Sequence, residues 1–149
     1  MKKLKSKILY IAIILFLASC TANKYLPEGE KYYSGSEIGY EGKVDGQVKR
    51  GLEELFFPPP NKKLFGSRPF VWFHYIAGET EKEKGFKYWL KYKLGDEPVF
   101  LSDVKIGQTA ELLSDKMHNE GYFEHDVSSD VKQKKHSATV KYTVEAGTP

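Results

Sequence analysis

Between Ile106 and Glu145 the apolar period of the chain changes once, and that change narrows the folds open to it. Ile106, Ala110, Leu113 and Met117 recur at helical spacing and make one stripe of a helix. Ser102 or Asp103 can cap that helix, and Gly121 ends it. From Tyr122 the period is two. Phe123, His125, Val127, Ser129 and Val131 share one face, and Glu124, Asp126, Ser128, Asp130 and Lys132 share the other. The polar run "KQKKH" predicts a turn. Ala138, Val140, Tyr142 and Val144 then alternate with polar residues up to Glu145. A helix, a glycine and two strands joined by a short turn make an α+β unit whose sheet has one polar face.

The other end of the chain obeys different rules. Lys2, Lys3, Lys5 and Lys7 precede an apolar run from Ile8 to Ala18. A bilayer-crossing helix takes about 20 residues, so this run has the length of a signal-peptide core instead. Leu17-Ala18-Ser19-Cys20 matches a lipobox, in which the cysteine thiol accepts diacylglycerol before cleavage. Residues 1–19 are therefore expected to be a lipoprotein signal peptide, and residues 20–35 a lipidated tether. Cys20 is the only cysteine, so the mature chain can form no internal disulfide. Thr21 follows it where an inner-membrane retention signal would place Asp. No acidic cluster follows, so the periplasmic face of the outer membrane is the expected location.

The signal also carries the chain's basicity. The whole sequence has 23 Lys and Arg against 20 Asp and Glu, and the four lysines of the signal leave 19 against 20. A net of −1 offers nothing for nucleic acid and predicts no long-range attraction to anionic lipid.

The stretch from Ser36 to Gly42 is expected to be a strand with Ile38 and Tyr40 on one side. Val44, Val48, Leu52, Leu55 and Phe56 then recur at helical spacing, with Asp45 as N-cap. Pro58-Pro59-Pro60 stops that helix and reads as a stiff turn. Phe70 to Ala77 is a buried helix or a strand. Its aromatics fit a core, and Trp72 and Tyr75 also fit a membrane interface. Phe86, Trp89, Leu90 and Leu94 make a helical face closed by Gly95.

No constellation for catalysis stands out. His74, His118, His125 and His136 fall in different elements without metal-ligand spacing. His125 on an apolar face reads as a satisfied, half-buried side chain. Glu53-Glu54 and Asp96-Glu97 are adjacent in sequence and do not face one another on a helix. Ser114, Ser128 and Ser129 lack an elbow motif. The chain is expected not to be an enzyme, with no metal and no cofactor.

The helix stripe, the segment "NEGYFEHDV" and the strand "ATVKYTVEAGTP" resemble the second half of a POTRA repeat, a polypeptide-transport-associated module. Upstream, "SCTANKYLPEGEKYY", "PPPNKKLFGSRP" and "GFKYWLKYKLGDEPVFL" resemble the N-terminal region of lipidated BamA/TamA-like proteins of Bacteroidetes, in the surface-antigen superfamily. The resemblance implies a β-α-α-β-β order over residues 36–149, with a small sheet covered on one face by helices. Residues 58–101 are too long for its inter-helix loop. They are an inserted helical and aromatic segment, or they mark two degenerate repeats. The family's membrane barrel has no counterpart here, which implies a fragment or a product ending before the pore.

The implied function is a periplasmic segment of an outer-membrane protein assembly and translocation factor. It would bind unfolded outer-membrane proteins or assembly subunits by strand addition, through an edge formed by Tyr122, Phe123, Val127, Ser129 and Val131. The other reading is a stand-alone structural or interaction lipoprotein of the cell envelope.

Overall fold

A computed structural model describes residues 22–80 and 84–147. The expected signal peptide and its lipidation residue Cys20 lie outside the described residues. No helix among them is long and apolar enough to cross a membrane. The described residues are α+β, with a three-stranded mixed sheet and four α-helices. It divides into two compact units. One holds residues 27–60 and everything from 99 on, and the other joins 22–26 to 61–98.

The larger unit carries the sheet. Strand β1 spans Tyr32–Glu41, helix α1 Gly46–Glu53, helix α4 Ile106–Asn119, strand β2 His125–Gln133 and strand β3 Ser137–Ala146. Strand β3 lies in the middle, parallel to β1 and antiparallel to β2. The even-numbered β3 residues Ala138, Val140, Tyr142 and Val144 are all buried, as alternation predicts. Val140, Tyr142 and Val144 pack with Val48 and Leu52 of α1 and with Leu113 and Met117 of α4 in one apolar cluster.

Strand β1 begins four residues before the expected Ser36, so part of the expected tether is sheet. Tyr32 and Tyr33 are fully buried. The register jumps between Tyr33 and Ser36, where β1 fits one residue more than β3. That bulge is built on Gly35, whose φ of +106° suits glycine. In the sequence the same glycine looked like the punctuation of a linker.

Asp45 caps α1 as expected, its Oδ1 accepting from the Gln47 N–H at 2.7 Å. Helix α1 is shorter than the expected Val44 to Phe56. The start of α4 also differs. Leu101–Asp103 forms a separate 3-10 turn, in which Asp103 Oδ2 accepts from the Phe100 N–H at 2.8 Å. Asp103 thus caps that turn, and α4 starts after Lys105 with no side-chain cap.

In the smaller unit, helix α2 spans Pro69–Ala77 with Pro69 in its first turn, where a missing N–H costs nothing. This resolves the helix-or-strand ambiguity. Helix α3 spans Phe86–Trp89 and continues as a wider π-helical turn over Leu90–Leu94. Gly95 closes it in extended conformation, at φ −77°, and not in the left-handed state expected of a helix-ending glycine. Its reason is proximity: a Cβ there would sit 2.6 Å from the Lys91 carbonyl oxygen and 2.9 Å from the His74 nitrogen. Residues 22–26 join this unit through Tyr25, whose ring stacks on Tyr75 at 4.9 Å.

Candidate functional site

The candidate site is the outer edge of β2, and its chemistry is that of the backbone. Two hydrogen bonds flank the β2–β3 ladder and fix its phase. The Lys134 N–H donates to the Ser137 oxygen at 2.7 Å, and the Gly147 N–H donates to the Glu124 oxygen at 2.7 Å. Both pairs continue the ladder register, in which Ser128 faces Thr143 and Asp130 faces Lys141. Hydrogen-bonded pairs alternate with non-bonded pairs in an antiparallel ladder. The even-numbered residues of β2 therefore turn their N–H and C=O toward β3. His125, Val127, Ser129, Val131 and Gln133 turn theirs outward. No further strand pairs with that edge among the described residues.

The other edge of the sheet is treated differently. The Tyr33 N–H donates to the Val99 oxygen at 2.9 Å, and the Leu101 N–H donates to the Lys31 oxygen at 2.8 Å. The segment 99–101 thus covers the beginning of β1, with the Phe100 ring stacked on Tyr32 at 5.7 Å.

The five residues expected on the β2 edge divide. Val127, Ser129 and Val131 lie on β2, opposite Val144, Tyr142 and Val140, with outward backbone groups. Tyr122 and Phe123 precede the strand, which starts at His125 and not at Tyr122. The reason is how α4 ends. Gly121, at φ +92°, donates to the His118 oxygen at 3.0 Å, and the Tyr122 N–H donates to the Met117 oxygen at 3.0 Å. That pair of bonds is a Schellman motif, which places the residue after the glycine against the helix. Tyr122 is accordingly buried, and its hydroxyl accepts from the Asp45 N–H at 3.1 Å. Phe123 is turned the other way, 70 % exposed, its ring edge-on to His118.

His125 and Gln133 also belong to the edge. Only the parity of the ladder, counted from the hairpin, would have found them. His125 opens β2 and is pinned on both ring nitrogens. Nδ1–H donates to the Tyr122 carbonyl at 2.6 Å, and Nε2 lies 2.8 Å from Ser114 Oγ on α4. A serine–histidine contact can serve nucleophilic catalysis when a carboxylate orients the ring. Here a backbone carbonyl does so, and the contact ties the first residue of β2 to α4.

Side chains behind the edge are set by the buried face. Burial raises the hydroxyl pKa values of Tyr142 and Tyr33, and the rise is partly offset by Thr109 and then Ser36 at Tyr142 and by Ser36 at Tyr33. Burial, with Glu53 nearby, pushes Tyr40 up to about 12. These phenols stay neutral, and the face behind the edge keeps no charge of its own from them. Among the described residues, no group of three His, Cys, Asp or Glu side chains could hold a metal ion.

No family model, curated protein or solved structure matches this chain.

Proposed function

We propose that this chain is a lipid-anchored, periplasmic POTRA segment of an outer-membrane protein assembly or translocation factor. Its β2 edge captures extended segments of unfolded outer-membrane proteins or of a partner subunit. The chain acts by binding and performs no catalysis. The observation that carries the reading is the outward set of N–H and C=O groups on His125, Val127, Ser129, Val131 and Gln133. A strand added there gains main-chain hydrogen bonds, which are largely independent of client sequence.

Three further features support it. The larger unit runs strand, helix, helix, strand, strand, the order the resemblance implies, with β2 at an edge. Residues 61–98, which interrupt that order, lie within the span 58–101 that the sequence marks as an insertion. The lipobox ending at Cys20 would hold the edge near the membrane where clients arrive.

Substituting Ser129→Pro tests the reading. Proline removes an outward N–H and leaves the ladder to β3 in place. Crosslinking of the anchored chain to an unfolded outer-membrane barrel protein should fall by about tenfold, the equivalent of one to two main-chain hydrogen bonds. Unchanged crosslinking would remove the edge from the mechanism.

A further inference from the structure

The mature chain's near-neutral charge conceals a division. Residues 22–26 and 61–98, the smaller unit, hold nine Lys and Arg against five Asp and Glu, a net of +4. The larger unit, residues 27–60 and 99–149, holds ten against fifteen, a net of −5. The smaller unit is also where exposed aromatics concentrate. Phe65, Phe86, Trp89 and Tyr92 all belong to it, and the Phe86 and Trp89 rings stack at 6.1 Å.

Phe65 is the most telling of these. Leu64 and Ser67 close a two-residue turn by exchanging hydrogen bonds of 2.9 and 3.0 Å. The two residues between them, Phe65 and Gly66, have φ of +49° and +79°. That is the pattern of a type I′ turn, whose first position favours asparagine or glycine. A bulky side chain there is strained, and this one gains no burial in return, because Phe65 is 97 % exposed. Lys62 and Lys63, both exposed, lead into the turn. An apolar tip on a basic base is the arrangement that inserts below phosphate headgroups.

We propose that the smaller unit docks on an anionic phospholipid surface, with Phe65 entering the boundary between headgroups and acyl chains and Lys62 and Lys63 meeting the phosphates. Two observations select lipid over a protein partner. The unit is cationic while the rest of the mature chain is anionic. The unit also contains residues 22–26, which begin two residues after Cys20 and are held to it by the Tyr25–Tyr75 stack. An acyl chain on Cys20 would therefore hold this unit beside the bilayer. The unit's own charge argues for an attraction to anionic lipid that the net charge of the whole does not suggest.

The test uses the chain from residue 20 onward with Cys20→Ser, so that neither the signal nor an acyl group contributes. It should float with vesicles of phosphatidylethanolamine and phosphatidylglycerol at low salt, and stay behind with neutral phosphatidylcholine. Phe65→Asn should weaken binding by about tenfold or more, the equivalent of losing one buried phenyl group. The same variant should unfold at an equal or higher urea concentration, because asparagine suits the turn. The pair Lys62→Glu and Lys63→Glu should weaken binding about as much and flatten its salt dependence. Equal binding to both vesicle types, no flotation at low salt, or parental binding by Phe65→Asn would overturn the proposal. Ser129→Pro should bind vesicles like the parent, so failure here leaves strand addition standing, and failure of strand addition leaves this.

Discussion

Gly121 and His74 show how much rests on single positions. Gly121 is the left-handed residue that lets α4 stop and Tyr122 fold back onto it. A Cβ there meets no neighbour, so the cost of Gly121→Ala is purely conformational. It should be about 1–2 kcal/mol, read as a lower urea midpoint with unchanged slope. His74 presents the opposite case, a chemical constraint. Burial in the smaller unit, and then Lys91 nearby, lower its pKa below the ordinary 6.5. The folded state thus prefers the neutral ring, and the unfolded chain takes up the proton first. The stability His74 contributes should be complete above about pH 6.5 and decline as pH falls below it. Thermal melts of His74→Phe should lack that decline; a slope that persists in the variant would place its origin elsewhere.

At the scale of elements, β2 can be probed by parity. Ser128 and Ser129 are adjacent serines on one strand with opposite backbone duties. The Ser128 N–H belongs to the ladder with Thr143, and the Ser129 N–H points away from it. Ser128→Pro should therefore cost about 3 kcal/mol or more and broaden or abolish cooperative melting. Ser129→Pro should melt close to the parent. Equal damage from both would mean that the ladder phase is reversed.

The same strand marks what was legible beforehand. The change of period at Gly121, the hairpin and the buried side of β3 are local patterns, and local patterns survive in a sequence. The start of β2 was misplaced because the alternating pattern reads straight through Tyr122 and Phe123. A helix-closing motif, visible only as a pair of backbone bonds, claims them instead. The start of β1 was misplaced because its bulge glycine and a linker glycine look alike. Parallel pairing of β1 with β3 joins residues about a hundred positions apart, and no periodicity encodes it.

For the whole molecule, the composition read as one number was misleading. A mature net charge of −1 suggests indifference to surfaces, yet its two units carry opposite signs. Only the division of the chain in space shows which charges act together. The allocation of work proposed above follows that division, with lipid assigned to the basic, aromatic unit and polypeptide to the sheet edge of the acidic one. The second half of that allocation is open to direct measurement by residue-resolved amide hydrogen exchange on β2. In the free chain the Val127, Ser129 and Val131 amides should exchange quickly, while Ser128 and Asp130 are protected by β3. Adding an unfolded outer-membrane barrel protein should slow the first three and leave the other two as they were. Amides of Val127, Ser129 and Val131 already protected in the free chain, or untouched by the added polypeptide, would contradict strand addition at this edge.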